Sequence, residues 1–126
     1  MTTDLERSAL SGMSVLVVED EYYVATEMAE QIERVGGSVI GPFATSDEAF
    51  AELTHSAPDC ALLDINTGSG PSFELADALL AQGVPFAFLT GYDGGSVPQR
   101  FSAVERVQKP AQSRTVIAAL SKLRAH

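Results

Sequence analysis

The sequence predicts an α/β domain built on a parallel sheet, and two observations lead to this prediction. Short continuous apolar runs recur along the chain, and helical apolar patterns lie between them. Continuous runs are typical of strands that are buried on both faces of a parallel sheet. The alternation of strand and helix repeats about five times, which favours right-handed crossovers with helices on both faces. The length of 126 residues is that of one domain.

Five segments are predicted as strands. In chain order they are residues 15–18, 38–40, 60–63, 86–89 and 104–107. The third contains Cys60, which we expect to be a small buried apolar residue. Residues 1–12 are predicted to form a loose polar leader and residues 13–126 the folded domain.

Four helices are predicted with clear start or stop signals. The first has apolar side chains at three- and four-residue spacing and ends at the glycine pair 36–37. The second begins at residues 46–48, and the third begins after Ser72, a favoured N-cap residue. Pro110 is expected to open the last helix, because proline is favoured in the first turn. Residues 90–103 are rich in glycine, so any helix between the fourth and fifth strands should be short or poorly ordered.

Composition restricts the function classes. The net charge of −9 argues against general nucleic-acid binding, because such binding neutralises phosphates. One cysteine excludes a disulfide framework. No apolar run approaches the roughly 20 residues of a membrane-spanning helix, and the first residues do not resemble a signal peptide. We therefore expect a cytoplasmic protein that does not insert into membranes.

The charge is unevenly distributed along the chain. Residues 1–99 carry two basic and sixteen acidic side chains, whereas residues 100–126 carry six basic and one acidic. The basic final quarter predicts a surface suited to an acidic protein partner. The alternative is a set of solubilising charges on an amphipathic last helix.

Polar residues follow the predicted strands, at the edge where open parallel sheets bind ligands. They are Glu19, Asp20 and Glu21 after the first strand, Asp64 and Asn66 after the third, Thr90 after the fourth and Lys109 after the fifth. Taken singly, each has a structural explanation as a helix cap, a turn residue or a surface charge. Their joint placement at the strand ends favours a functional site.

The residue types indicate the chemistry of this site. Clustered carboxylates without cysteine or clustered histidine favour Mg²⁺, or Mn²⁺, over zinc. Mg²⁺ is often shared between carboxylates and a substrate phosphate. A lysine and a threonine opposite the metal can hold the remaining phosphoryl oxygens. With the charge neutralised in this way, a carboxylate can act as a nucleophile and form an aspartyl phosphate.

Four sequence blocks carry a family resemblance: residues 17–21 (VVEDE), 58–64 (PDCALLD), 90–91 (TG) and 109–110 (KP). With these blocks in this order and spacing, the chain resembles the bacterial response-regulator receiver domain over residues 13–125. The resemblance implies a doubly wound, five-stranded parallel sheet of order 2-1-3-4-5. It also implies that Asp64 accepts phosphate from a histidine kinase or a histidine phosphotransfer protein, with no external turnover substrate.

The resemblance further implies a role for each matching residue. Asp20 and Asp64 would ligate Mg²⁺ directly, and Asn66 would add its backbone carbonyl. Glu19 would act through bound water. The phosphoryl contacts would be the Thr90 hydroxyl, the Lys109 ammonium group and the Gly91 amide.

Residues 86–92 (FAFLTGY) resemble a receiver subclass with a Phe-Ala-Thr-Gly block, which occurs as stand-alone receivers and attached to sensor kinases.

One departure from the family pattern affects the conformational switch. Most receivers place an aromatic residue three positions before the lysine, but this chain has Arg106 there. The switch candidates are Thr90, Gly91, Tyr92 and Arg106. We expect residues 91–103 to become ordered on phosphorylation instead.

Three functions are compatible with these residues. The first is a phosphoacceptor module; because no output domain follows the last helix, we expect it to signal by protein contact through residues 100–126 or to act as a phosphate sink or relay. The second is a constitutive interaction module of the same fold, against which the complete acid, threonine and lysine set counts. The third is a flavodoxin-like or phosphatase enzyme, which we rank last because no phosphate-binding glycine loop follows the first strand.

Overall fold

The five predicted strands form one parallel sheet in a computed structural model that describes residues 8–65, 73–91 and 97–124. The strands are β1 Ser14–Val18, β2 Ser38–Phe43, β3 Cys60–Asp64, β4 Phe86–Thr90 and β5 Glu105–Gln108. Their order in the sheet is β2-β1-β3-β4-β5, and each neighbouring pair is parallel. The predicted doubly wound fold and its strand order are therefore confirmed.

Four α-helices are present in the described residues. They are α1 Tyr22–Arg34, α2 Ser46–Leu53, α3 Glu74–Ala81 and α4 Ser113–Leu123. Between β4 and β5 the described residues contain a single 3₁₀ turn, Gln99–Phe101, in agreement with the short helix expected there. The prediction that Pro110 opens the last helix is wrong, because the extended backbone of Gln112 separates Pro110 from α4. Ser72, the predicted N-cap of α3, lies outside the described residues.

The helices cover both faces of the sheet, because successive strand residues point to opposite faces. Val17 of β1 packs in a core cluster with apolar side chains of α1 and α4. Its neighbour Leu16 packs in a second cluster with side chains of α2, α3 and Phe101 of the 3₁₀ turn. Every residue of β3 and β4 is buried, which explains why their sequences are continuous apolar runs.

A bulge in the edge strand β2 fixes the backbone at the end of β1. The pairing shifts by one residue between Ile40 and Phe43, where Gly41 has a φ of +104°. A Cβ atom at Gly41 would lie 2.7 Å from the backbone nitrogen of Phe43, so glycine is required there. The carbonyl of Phe43 then accepts a hydrogen bond of 2.9 Å from the N–H of Glu19. The bulge therefore positions the first residue after β1.

Residues 8–12, predicted to belong to the polar leader, contact the rest of the domain. Leu10 is fully buried in the core beside α1 and α4. Arg124 donates hydrogen bonds to the carbonyl oxygens of Ala9, at 2.9 Å, and Ser11. One basic side chain of the final quarter is thus used within the molecule. Within the described part of the chain, none of the helices combines the length and the hydrophobicity that a membrane span needs.

Candidate functional site

Four polar residues meet at the carboxyl edge of the sheet. Glu19 follows β1, Asp64 ends β3, Thr90 ends β4 and Lys109 follows β5. Glu19, Asp64 and Thr90 are only 2, 5 and 3% exposed. Polar side chains are rarely buried this deeply unless they are paired or bind a ligand.

Lys109 is the cation that faces the two buried carboxylates. Its Nζ donates a hydrogen bond of 2.9 Å to Asp64 Oδ2 and lies 2.9 Å from Glu19 Oε1. Burial alone would lower the pKa of Lys109, but the hydrogen bond to Asp64 and the contact with Glu19 outweigh burial and raise the pKa. The lysine therefore stays charged at neutral pH.

Glu19 has an incomplete set of hydrogen bonds. Its Oε2 accepts a bond of 3.0 Å from the N–H of Glu21. Its Oε1 is within ion-pair distance of Lys109, but among the described residues no donor meets hydrogen-bond geometry with this buried atom. Burial raises the pKa of Glu19 to about 7, because the buried carboxylate loses the water that stabilises its charge.

Glu19, Asp20 and Asp64 form an acidic cluster that fits a hard divalent cation. One carboxylate oxygen from each lies within 4.8 Å of the others. Asp20 is exposed, so the acidic cluster is accessible from solvent. A few oxygen ligands are typical of Mg²⁺ and Mn²⁺ sites. The buried Oε1 of Glu19 is an acceptor that a metal-bound water would satisfy, so these residues suit the cation implied by the resemblance.

The predicted phosphoryl contacts are joined through the backbone. The carbonyl of Thr90 accepts a hydrogen bond of 2.7 Å from the N–H of Lys109, which fixes the loop after β5 against the end of β4. Gly91 and Lys109 line the same groove beside the acidic cluster. Asn66 and Tyr92, a predicted metal ligand and a predicted switch residue, lie outside the described residues.

Arg106 lies away from this site. It is exposed on β5 and is aligned with Phe88 of β4 in the sheet register. The hydrogen bonds and ion pairs of the described residues include none between Arg106 and the acidic cluster. A switch role for Arg106 would therefore act through the surface of β5.

Glu21 lies beside the site; it is one of the polar residues predicted at the sheet edge, but the family resemblance implies no specific role for it. Its Oε1 is 3.6 Å from Lys109 Nζ, and its side chain is 65% exposed. With Lys109 it lines a groove of about 420 Å³ between α1 and α4. The only signal in the sequence is its place directly after the acidic pair, which does not show where the side chain points.

Curated relatives are about a third identical to this chain over the aligned residues, although no family model matches it. The sensory transduction protein LytT of Bacillus cereus is 32% identical over 115 residues, which cover 87% of this chain and 46% of LytT. The phyllosphere-induced regulator PhyR of Methylorubrum extorquens is 32% identical over 125 residues, covering 92% of this chain and 45% of PhyR. The chain thus spans about half the length of these relatives.

Solved structures of similar length have the same fold. The solution structure of SdrG from Sphingomonas melonis Fr1 has a TM-score of 0.78 and 35% identity, covering 93% of this chain and 98% of SdrG. The REC domain of the Erythrobacter litoralis PhyR response regulator has a TM-score of 0.76 and 26% identity, covering 93% of each chain. These similarities show that the chain belongs to the receiver domains of response regulators.

Proposed function

We propose that this receiver domain is a phosphoacceptor of a two-component system or phosphorelay. Asp64 accepts a phosphoryl group, in the presence of Mg²⁺, from a phosphohistidine of a histidine kinase or histidine phosphotransfer protein. The observation that carries the proposal is the hydrogen bond of 2.9 Å between Lys109 Nζ and Asp64 Oδ2 at the carboxyl edge of the sheet. A fixed cation beside this carboxylate can balance the charge that a phosphoryl group adds.

Glu19, Asp20 and Asp64 are the described residues that would hold the metal. Bound Mg²⁺ supplies positive charge that neutralises phosphoryl oxygens. The three carboxylates lie close together, so they would otherwise repel an anionic phosphodonor. Glu19 keeps its role through bound water in this proposal, and its buried, unsatisfied Oε1 supports that role.

The proposed transfer is a substitution at phosphorus. An oxygen of the ionised Asp64 carboxylate forms the new P–O bond, while the P–N bond to the donor imidazole breaks and its electron pair stays on the imidazole nitrogen. Lys109, the Thr90 hydroxyl and the Gly91 amide hold the phosphoryl oxygens. Attack of water on phosphorus later releases inorganic phosphate and restores the carboxylate. The domain therefore acts only on its own phosphorylation state and has no external turnover substrate.

The proposed output is protein contact through residues 100–126 in the cytoplasm. In this segment Arg106 and Arg114 are exposed. Other basic side chains there already have partners, because Arg100 pairs with Asp77 and Lys122 pairs with Glu105. Arg106 and Arg114 are therefore available to an acidic partner. Similarity to the regulator PhyR supports a regulatory role with a downstream partner, and the FAFLTGY block is consistent with the Phe-Ala-Thr-Gly subclass.

A second candidate is an interaction module that works without phosphorylation. The observation in its favour is an exposed aromatic pair at the start of α1. Tyr22 and Tyr23 are 73 and 84% exposed, and their rings meet edge to face at 5.4 Å. Exposed aromatic side chains are typical anchors of protein interfaces. The complete set of acid, threonine and lysine at the sheet edge favours the phosphoacceptor.

Phosphorylation by acetyl phosphate separates these candidates. With Mg²⁺, intact-mass spectrometry should detect one added phosphate, and EDTA or Asp64→Asn should abolish it. The matched control is Asp47→Asn, which changes an exposed aspartate on α2 and should be phosphorylated normally. Full labelling of Asp64→Asn would contradict the assignment of the acceptor. An unlabelled wild-type protein in the presence of Mg²⁺ would favour the constitutive module.

A further inference from the structure

Glu21 contacts the site in two separate ways. Its backbone N–H donates to Glu19 Oε2 at 3.0 Å, and any residue type at this position can make that bond. Its side chain instead approaches Lys109, with Oε1 3.6 Å from Nζ. Glu21 is the N-cap residue of α1, but its side chain makes no capping hydrogen bond. The carboxylate of Glu21 therefore contributes little to the fold and is available to act on the site.

Around Lys109, the carboxylates of the described residues outnumber the one ammonium group that they face. Among the described residues, the carboxylates of Glu19, Asp64 and Glu21 lie within 4 Å of its ammonium group, and Asp20 adds a fourth negative charge to the acidic cluster. Negative charge in excess attracts a divalent cation and repels an anionic phosphoryl group. A phosphoryl group on Asp64 also needs Lys109 as a partner, so it competes with Glu21 for the same ammonium group.

We propose that Glu21 is a positioning residue that sets the balance between cation and phosphoryl group at this site. Through Lys109, its carboxylate strengthens binding of the divalent cation and weakens binding of the phosphoryl group. This inference rests on the proposed phosphoacceptor function. It gives an exposed residue at the edge of the site an influence on the stability of the phosphorylated state.

The two effects have opposite signs, and this distinguishes an electrostatic role from a structural one. Removing the charge of Glu21 takes a negative group away from the cation, but it also frees Lys109 and removes repulsion of the phosphoryl oxygens. Loss of a merely structural residue would weaken both ligands together. Because the side chain is 65% exposed, each effect should be about two- to fivefold, as for exposed ion pairs.

The test compares Glu21→Gln with the wild-type protein in two calorimetric titrations. The first measures the dissociation constant of Mg²⁺ alone. The second measures that of beryllofluoride, which stands in for the phosphoryl group, at saturating Mg²⁺. Glu21→Gln should weaken Mg²⁺ and tighten beryllofluoride, each about two- to fivefold, and 1 M NaCl should reduce both differences. Glu21→Asp should restore part of each wild-type affinity because it restores the charge.

The matched control is Glu27→Gln. Glu27 is an exposed glutamate that lines the same groove, about 9 Å further along α1. Its substitution should change either affinity by less than Glu21→Gln does. Equal effects of the two variants, shifts of the same sign in both titrations, or no shift would overturn the role of Glu21. Failure of the wild-type protein to bind beryllofluoride would instead overturn the phosphoacceptor function, and the role of Glu21 with it.

Discussion

Arg100 forms two hydrogen bonds with the carboxylate of Asp77, at 2.9 and 3.0 Å, and so joins the 3₁₀ turn to α3. Its guanidinium carbon lies 4.6 Å from the ring centroid of Phe101, which is fully buried. The Phe101 ring in turn stacks on Phe73, with centroids 5.7 Å apart. The chain segments that follow β3 and β4 are therefore connected to each other away from the site.

The aromatic contact should contribute much more stability than the ion pair. Phe101→Ala should lower the free energy of unfolding by about 3–5 kcal/mol, as other buried phenylalanine truncations do. Arg100→Ala should have a much smaller effect, because the Arg100 and Asp77 side chains are 53 and 48% exposed. Urea denaturation followed by circular dichroism measures both, with the exposed Arg114→Ala as control. Equal losses for Phe101→Ala and Arg100→Ala would contradict this ranking.

Mg²⁺ binding should distinguish the two acidic residues after β1. Loss of an indirect ligand usually weakens metal binding about 10- to 100-fold, so Glu19→Ala should fall in this range. Asp20→Ala removes a proposed direct ligand and should weaken Mg²⁺ more than Glu19→Ala does. Isothermal titration calorimetry measures both constants, with Glu48→Ala on the exposed surface of α2 as control. A larger loss at Glu19 would reverse the two roles.

We expect Lys109 to increase the rate at which Asp64 is phosphorylated, independently of any effect on the fold. Lys109→Ala removes the cation that faces the phosphoryl oxygens, so phosphorylation by acetyl phosphate should slow by about 100-fold. Lys122→Ala, which removes an exposed lysine paired with Glu105, should leave the rate unchanged. Circular dichroism checks that both variants fold. If Lys109→Ala folds and is phosphorylated at the wild-type rate, Lys109 has no part in the transfer.

The strands and the sheet-edge residues were predictable because one physical pattern marks both. A continuous apolar run marks a strand buried on both faces, and the run of β3 ends at Asp64 as that of β4 ends at Thr90. Parallel pairing then brings those ends together at one edge. The structure accordingly brings Glu19, Asp20 and Asp64 within 4.8 Å of one another, with Lys109 beside Glu19 and Asp64.

Contacts that depend on the direction of a side chain or on a local irregularity were not predictable. The approach of Glu21 to Lys109 depends on where an exposed side chain points, and a residue pattern does not encode this. The bulge at Gly41 extends β2 beyond the apolar residues that identified it. Arg124 contacts Ala9 through a backbone carbonyl, an acceptor that every residue carries, so no residue type marks the partner.

Cys60 should be unreactive in the folded protein. It is fully buried in β3, and burial raises the pKa of its thiol to about 12, so almost no thiolate forms at pH 8. Because the raised pKa belongs to the folded state, stability should fall as the pH rises above the ordinary thiol value near 9, where the unfolded chain loses its proton. Ellman's reagent at pH 8 should label the protein only in denaturant. Rapid labelling of the native protein would contradict this burial.

The last prediction concerns the switch between β4 and β5. The described part of this connection contains one 3₁₀ turn, which the buried Phe101 anchors. The N–H of Phe101 donates a hydrogen bond to the carbonyl of Pro98, and the N–H of Ser102 donates one to the carbonyl of Gln99. Of the stretch predicted to become ordered, residues 91–103, residues 92–96 lie outside the described residues. The sequence of residues 91–98 is rich in glycine, which predicts that local opening there requires little free energy. A phosphoryl group that draws Thr90 inward would favour an ordered arrangement of this stretch.

Hydrogen exchange followed by NMR with and without Mg²⁺ and beryllofluoride tests this switch. Residues 91–98 should exchange rapidly in the free protein and gain more protection than any segment outside the loops of the site. The amides of Phe101 and Ser102 should already be slower in the free protein, because the 3₁₀ turn and the buried ring hold them. Asp64→Asn with the same additives should show no gain. Strong protection of residues 91–98 in both states would mean that this stretch is already ordered, and the order–disorder mechanism would then be wrong.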